Sequence, residues 1–88
     1  MIASGNGKTA ILQDDVLTVH DKGPKGGYLS TKTIPLSSIK AVDFYPAGMV
    51  LQGSMKLKLP DGSETLHFQG QQNDVFGELH RELVSRIG

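Results

Sequence analysis

Cysteine is absent from this 88-residue chain, and so is any net charge. Without cysteine, neither a disulfide framework nor a thiolate metal site can form. Lysine and arginine number nine, as do aspartate and glutamate, so no overall field attracts nucleic acid or an anionic membrane. The sequence also lacks an apolar run long enough to cross a bilayer and a basic N-terminal region followed by an apolar segment. We therefore expect a cytoplasmic protein with no nucleic-acid partner.

Glycine, by contrast, is plentiful. The chain has 11 glycines and 38% hydrophobic residues, a composition typical of short strands joined by tight turns. Its length suits a single modest core, so residues 1–88 are expected to form one domain. The charges are mildly segregated: seven lysines and four aspartates lie up to Pro60, and two arginines and five acidic residues follow. That asymmetry is too small to indicate a partner.

The stretch Ser-Gly-Asn-Gly-Lys-Thr at residues 4–9 superficially matches a phosphate-binding loop. A Walker-type loop needs a glycine five positions before the Gly-Lys pair, but Ile2 stands there. Such a loop must also open a helix, whereas the residues after Lys8 are typical of a strand. Residues 1–7 are instead interpreted as a flexible start to the domain.

Runs of β-branched and aliphatic residues predict strands in the first half of the chain. Asp14-Asp15 suits a tight turn between the first two runs, so these are expected to form a hairpin. The glycines and proline of residues 21–27 predict a loop. Residues 35–39 are expected to make a single turn that points Leu36 and Ile39 inward. Strands are thus predicted at residues 9–13, 16–20, 28–34 and 40–45.

The clearest local signal is the hairpin that follows Gly53, in which apolar and polar residues alternate. Asp61-Gly62 stands where a two-residue turn needs positive φ at both central positions. Pairing Pro60 with Ser63 around that turn fixes the register of the two strands. The cross-strand pairs predicted in this way are Leu57 with Leu66, Met55 with Phe68, and Lys56 with His67.

After Gly70 the spacing between apolar residues changes from two positions to three or four. Phe76, Leu79, Leu83 and Ile87 form the stripe of an amphipathic helix, which predicts a C-terminal helix over residues 71–87. Asn73 or Asp74 is expected to cap it, and Glu82 with Arg86 forms a favourable i,i+4 pair. The fold class predicted is mainly β with one C-terminal α-helix. A bent antiparallel barrel of six or so strands, closed at one end by the helix, accommodates all these elements.

Several segments resemble the bacterial pleckstrin-homology-like (PH-like) domains. Those segments are Gly5-Asn6-Gly7, residues 14–19, residues 32–42 with their Ile-Pro-Leu turn, residues 53–57 and the Phe76 helix. Within the family, the chain is most similar to an uncharacterised subgroup often found beside a short oligomerisation motif. The resemblance implies a bent barrel of seven strands capped by the helix. The pattern above leaves one of these strands unassigned, and a break in the first or fifth run is expected to supply it.

The resemblance supplies no catalytic residue. The headgroup-binding lysines and arginines of the eukaryotic relatives cluster at the first hairpin loop, where this chain has Asp14-Asp15, and acidic residues repel phosphate. Lys22, Lys25 and Lys32 flank the glycine-rich loop instead and are the candidate anion-binding residues. They are either solubilising charges around that loop or contacts for anionic lipid or phosphate.

The three histidines, His20, His67 and His80, are the residues that titrate near neutral pH. They fall on two predicted strands and the helix, with no pair at metal-ligand spacing. No nucleophile lies on a recognisable strained turn. We therefore expect no metal, no cofactor and no enzymatic activity.

The segment at residues 45–53 has a composition unusual for a connection. Pro46 and Gly48 indicate a turn, yet Met49, Val50 and Leu51 follow in succession, and three consecutive apolar residues cannot all face one small core. Either Val50 or Leu51 begins the next strand and closes one end of the barrel, or the segment contacts another chain. Tyr45, Met49, Val50 and Leu51 are accordingly the candidate interface residues.

These observations favour a non-enzymatic protein-interaction module that self-associates or binds a protein or peptide partner, since open sheet edges invite pairing with another chain. The alternative is weak binding of anionic lipid or a phosphate ligand through the lysines around residues 23–27.

Overall fold

A computed structural model describes residues 1–22 and 27–87, with the backbone alone at residues 28 and 29. The described residues form seven strands, two short 3-10 helices and one α-helix. The strands are β1 (Ile2–Ser4), β2 (Lys8–Gln13), β3 (Val16–Lys22), β4 (Tyr28–Pro35), β5 (Ala41–Tyr45), β6 (Gly53–Leu59) and β7 (Gly62–Phe68). The 3-10 helices span Leu36–Ser38 and Gly70–Gln72, and α1 spans Asn73–Ile87. The prediction of a mainly β chain with one C-terminal helix is confirmed.

The strands form two antiparallel sheets, one in the order β1-β2-β3-β4 and one in the order β5-β6-β7. Over the described residues these sheets do not join into a closed barrel, so the expected bent antiparallel barrel is present only as two separate sheets with the helix. The turn at residues 36–40 carries the chain from β4 into a separate sheet, where β5 pairs with β6 and not with β4.

The strand that the pattern leaves unassigned is β1. Ala3 is fully buried, and β1 pairs with β2 in the register Ala3 with Ala10. Gly7, at φ 80°, allows the tight turn between the two strands, and the Gly5 amide donates to the Lys8 carbonyl at 2.8 Å. Residues 2–4 are therefore structured rather than part of a flexible start, and the missing strand is not a break in the first or fifth run.

The hairpin of β6 and β7 forms with a register two residues away from the predicted one. Leu59 pairs with Gly62, Met55 with Leu66 and Gly53 with Phe68. The turn centres on Pro60-Asp61, because proline fixes φ near the value that the first turn position needs. Asp61 does not adopt the positive φ that a turn at Asp61-Gly62 requires.

The predicted pairs of Leu57 with Leu66, Met55 with Phe68 and Lys56 with His67 are accordingly wrong. An even shift keeps every side chain on its predicted face, so all four inward apolar residues remain fully buried. They are Met55, Leu57, Leu66 and Phe68.

The first hairpin and the turn at residues 35–39 form as predicted. β2 and β3 pair around Asp14-Asp15, where Asp14 takes a positive φ of 55°. Leu36 and Ile39 are 6% and 5% exposed and point into the core. Of the predicted loop at residues 21–27, Asp21 and Lys22 belong to β3, and residues 23–26 lie outside the described part of the chain.

α1 packs its apolar stripe across the sheets. Phe76, Leu79 and Leu83 are fully buried. Three phenylalanines stack in a row: the rings of Phe44 and Phe68 lie 5.7 Å apart and those of Phe68 and Phe76 lie 4.4 Å apart. This row joins β5, β7 and α1 into one core. In the described part of the chain, no helix is long and apolar enough to span a membrane.

The start of α1 differs from the prediction. Gln69 and Gln72 form a capping box around the second 3-10 helix, and Asn73 is already in helical geometry. The Asn73 side chain binds the β5–β6 connection instead of capping α1. At the other end, the predicted pair of Glu82 with Arg86 forms, with 3.8 Å between Oε1 and Nη2.

Candidate interaction surface

Three apolar side chains project into solvent from the connection between β5 and β6. Met49, Val50 and Leu51, which we call the apolar tip, are 104%, 93% and 77% exposed. β6 begins only at Gly53, so the possibility that Val50 or Leu51 begins the next strand is wrong. Tyr45, the last residue of β5, is 58% exposed. All four candidate interface residues are therefore on the surface, and three of them are adjacent in sequence.

The connection is anchored to α1 on its N-terminal side. The Ala47 amide donates to Oδ1 of Asn73 at 2.7 Å, and Nδ2 of Asn73 donates to the Ala47 carbonyl at 2.9 Å. One asparagine thus satisfies both backbone groups of a residue that would otherwise rely on water. Within the connection, the Gly48 amide donates to the Leu51 carbonyl at 3.0 Å, which closes the turn that carries the tip.

The C-terminal side is anchored by Gly53, which is buried against an aromatic ring. A Cβ atom placed on Gly53 would lie 2.3 Å from Cε2 of Phe68 and 2.6 Å from the Ala47 amide nitrogen. Only a residue without a side chain fits this site. Together, Ala47 and Gly53 form the base of the loop, and the base holds the tip away from the core.

The tip lies in an uncharged part of the chain. No residue from 44 to 55 carries a charged side chain. An exposed apolar cluster without charges resembles the core of a protein interface, where aromatic residues and methionine are enriched and charges are depleted. Methionine is a particularly adaptable contact residue because its side chain is unbranched and polarizable.

Two of the three candidate anion-binding lysines, Lys22 and Lys32, already have partners within the chain. Nζ of Lys32 lies 3.4 Å from Oε1 of Glu64, and Nζ of Lys22 donates to the Gly5 carbonyl at 3.5 Å. Lys25 lies outside the described residues. An anionic ligand at Lys32 therefore competes with a carboxylate that is already bound there.

Lys32 belongs to a group of charges that links the two sheets, which we call the cross-sheet charge cluster. Its members are Lys8, Asp21, Lys32 and Glu64. Each continues the inward face of its strand, because each lies two residues from a buried apolar residue on that face. Glu64, only 11% exposed, binds Lys8 and Lys32 at once, and Asp21 also lies 3.8 Å from Lys8.

The cluster perturbs the titration of one member. The hydrogen bond to Glu64 raises the pKa of the Lys8 ammonium above its usual value, against a smaller opposing contribution from burial. The cluster contains two positive and two negative charges. Its ion pairs connect β2 and β4 to β7, and β2 to β3. Sequence reasoning missed Lys8 and Glu64; the available signal was a charged residue at an inward position of each strand.

The histidines lie apart from one another. Nδ1 of His20 is 2.8 Å from Oγ1 of Thr31, His67 is exposed on β7, and the ring of His80 stacks 5.3 Å from that of Phe44. Across residues 1–22 and 27–87, no three histidine or acidic side chains group as metal ligands. The apolar tip is thus the surface feature with the strongest physical signature.

No family model matches the chain, and neither the curated proteins nor the solved structures contain a significant match to it.

Proposed function

We propose that this chain is a non-enzymatic protein-interaction module of PH-like fold that self-associates through the apolar tip. The observation that carries the proposal is the near-complete exposure of Met49, Val50 and Leu51 on a loop whose base is fixed. Contiguous exposed apolar groups on a small domain mark sites of contact with other molecules.

The fixed base matters for the energetics of association. Complete burial of a side chain of this size is worth roughly 1.5–3 kcal/mol, so three of them provide a substantial part of a binding free energy. Association also costs free energy when loops become ordered. Because Asn73 and Gly53 already hold the loop, less of this cost is incurred on binding than for a loop without such anchors.

Neighbouring elements add to the same surface. Tyr45, with its exposed ring, ends β5, and β5 lies at the edge of the three-stranded sheet. A partner that covers the tip therefore also lies next to an aromatic side chain and the end of an edge strand. Edge strands are common sites of pairing between identical chains.

Light scattering on a sizing column, at several loading concentrations and two salt concentrations, tests the proposal. We expect a mass that is a multiple of 9.5 kDa and that persists at high salt, because the contact is apolar. The double variant Met49→Ser/Leu51→Ser should be monomeric, and at a concentration low enough for wild type to be monomeric as well, the two chains should melt at the same temperature. A matched control, Ile2→Ser/Val84→Ser, removes exposed apolar area elsewhere and should associate like wild type. A wild-type chain that is monomeric at every concentration contradicts the proposal.

The second candidate function is weak binding of anionic lipid or a phosphate ligand through Lys22, Lys25 and Lys32. Cosedimentation with vesicles rich in phosphatidylserine separates it from self-association. Binding that falls with salt and disappears when all three lysines are changed to alanine supports this alternative. Absence of cosedimentation at low salt eliminates it.

A further inference from the structure

β4, the last strand of the four-stranded sheet, is the longest of the strands that lie at a sheet edge. It spans eight residues, whereas the other edge strands, β1, β5 and β7, span three, five and seven. Residues 30–33 of β4 are exposed, and the strand pairs on one side only, with β3. An edge strand of this length presents backbone N–H and C=O groups to which another strand can bind.

The hydrogen-bonding pattern identifies the backbone groups of β4 that point away from β3. The Lys22 amide donates to the Gly7 carbonyl at 2.8 Å, so the even-numbered residues of β3 direct their backbone groups toward β2. The odd-numbered residues of β3 then bind the even-numbered residues of β4, which are their partners in the register. Thr31 and Thr33 therefore direct both their N–H and their C=O groups outward.

The open part of this edge is short and has a defined end. Pro35 has no N–H group, and its carbonyl already accepts from Oγ of Ser38 at 2.7 Å. In the described ranges of the chain, no backbone hydrogen bond reaches the outward groups of Thr31 or Thr33. The two threonines thus offer two donors and two acceptors at the spacing of a β-ladder, an arrangement that matches an extended polypeptide backbone.

A second copy of β4 is a poor occupant of this edge. When two antiparallel copies use every outward group of Thr31 and Thr33, Lys32 of one copy lies directly opposite Lys32 of the other. Like charges in opposite positions destabilise a sheet, and lysine on an edge strand is a common device against pairing between identical chains. The occupant is therefore a strand of different sequence.

The charge of this region favours an acidic strand. Residues 22–42 contain four lysines and no acidic residue. The Lys32 side chain is 53% exposed, and its ammonium has three N–H donors, so it can bind a second carboxylate besides Glu64, which lies 3.4 Å away. Competition with Glu64 weakens this contact, but the backbone hydrogen bonds of an added strand do not depend on it. An acidic residue opposite Lys32 thus contributes specificity, and the backbone contributes the contact itself.

We propose that β4 is a second binding site, at which an extended peptide with an acidic residue opposite Lys32 adds as a further strand of the four-stranded sheet. The peptide runs antiparallel to β4 and exchanges backbone hydrogen bonds with Thr31 and Thr33. On the other face of the added strand, its side chains lie beside those two threonines, whose branched side chains suit a pleated surface. The site contains no residue of the apolar tip, so it goes beyond the proposed self-association and does not depend on it.

Amide NMR spectra with synthetic peptides test the site. One capped peptide alternates threonine and valine on either side of a central glutamate, and a second peptide has lysine at the centre. Before peptide is added, the amides of Thr31 and Thr33 should exchange with solvent faster than those of Lys32 and Ile34, which bind β3. The glutamate peptide at millimolar concentration should slow exchange at Thr31 and Thr33 at least about tenfold. The lysine peptide should bind more weakly.

Thr33→Pro and Thr33→Ala are the matched variants. Proline removes the outward N–H and leaves the hydrogen bonds to β3 intact, which is why proline is tolerated on edge strands. We expect Thr33→Pro to bind the glutamate peptide at least about tenfold more weakly than wild type, and Thr33→Ala, which keeps the N–H, to bind like wild type. If circular dichroism shows Thr33→Pro to be unfolded, Lys32→Gln provides the test, because it should bind the glutamate and lysine peptides equally.

Unchanged exchange at Thr31 and Thr33 with the glutamate peptide overturns the proposal, and so does binding that shifts other amides and leaves these two unaffected. Equal binding of the two peptides by the wild-type chain shows that the acidic preference is wrong. The same spectra recorded on Met49→Ser/Leu51→Ser should show the same peptide binding. A wild-type chain that is monomeric at every concentration would contradict self-association through the tip and leave the β4 site standing.

Discussion

The base and the tip of the β5–β6 loop are separated by only a few residues, yet their surroundings are opposite. Gly53 is buried against the Phe68 ring, and both backbone groups of Ala47 bind Asn73. Met49 and Val50, close by in the chain, are almost fully exposed. The base uses its contacts for the stability of the fold, whereas the apolar area of the tip contributes nothing to it.

This difference allows effects on stability to be separated from effects on association. A change at the base should lower the free energy of unfolding and, by releasing the loop, weaken association as a secondary result. A change at the tip should weaken association alone. The loop therefore allows stability and self-association to be altered independently in one chain.

The largest effect on stability is expected at the base, for Gly53→Ala. The added methyl group overlaps the Phe68 ring and the Ala47 amide, and overpacking of this kind costs about 1–3 kcal/mol of unfolding free energy. Gly48→Ala is the matched control in the same loop, since nothing lies within 4 Å of a Cβ there and its φ is not positive. Urea denaturation should place Gly48→Ala within about 1 kcal/mol of wild type on the stabilising side. Equal stability of the two variants contradicts the assigned role of the base.

A smaller loss is expected for Asn73→Ala, which removes both hydrogen bonds to Ala47. Leaving a part-buried donor or acceptor without its partner costs about 1–3 kcal/mol, toward the lower end where water can reach the site. The control Gln71→Ala changes an exposed side chain two residues earlier, in the second 3-10 helix, and should be neutral. Hydrogen exchange of the Ala47 amide should accelerate in Asn73→Ala and remain slow in the control. Unchanged exchange in Asn73→Ala is the outcome that contradicts this account.

The smallest effect is expected in the cross-sheet charge cluster. Lys8 has a raised pKa in the folded state, so its contribution to stability is present below its usual value of 10.5 and is lost as the pH rises through the raised value. Lys8→Met should therefore be less stable than wild type by no more than about 1 kcal/mol at pH 8. The difference should shrink as the pH rises above 10.5 and through the raised value, because wild-type Lys8 then loses its proton.

Lys56→Met, at an exposed position of β6, is the control for the same charge change. Its stability relative to wild type should vary little over the same pH range. Urea titrations of all three chains at a series of pH values from 8 to well above 10.5 provide the comparison. A Lys8→Met deficit that stays constant with pH contradicts the assigned role of the Glu64 contact. Neither Lys8→Met nor Lys56→Met should alter self-association, because neither residue belongs to the tip.

Sequence reasoning reaches the features that depend on local chemistry. The inward turn at residues 35–39 and the apolar stripe of α1 follow from composition and spacing along a few residues. The composition of residues 49–51 left open whether they begin a strand or contact another chain. The β6–β7 register fails because two turns compete in Pro60-Asp61-Gly62, and the fixed φ of proline outweighs the preference of Asp-Gly.

Features that depend on contacts between distant segments could not be predicted from the sequence in this way. β1 is three residues long and is defined by its pairing with β2, which no periodicity within residues 2–4 can indicate. Lys8 and Glu64 are 56 positions apart in the chain and meet only once two sheets face each other. The pocket lined by Val16, Leu36 and Ile87 likewise combines residues beside a β-turn, in a 3-10 helix and at the end of α1.

The central claim, that the tip is a contact surface between copies, is tested most directly by a reporter on the tip itself. The chain contains no cysteine, so Val50→Cys introduces a single thiol for an environment-sensitive fluorophore. As unlabelled wild-type chain is added, we predict that emission from the labelled tip shifts to the blue and saturates, whereas a label on Ser63→Cys does not respond. Emission from the tip that stays constant up to the highest wild-type concentration would contradict the claim.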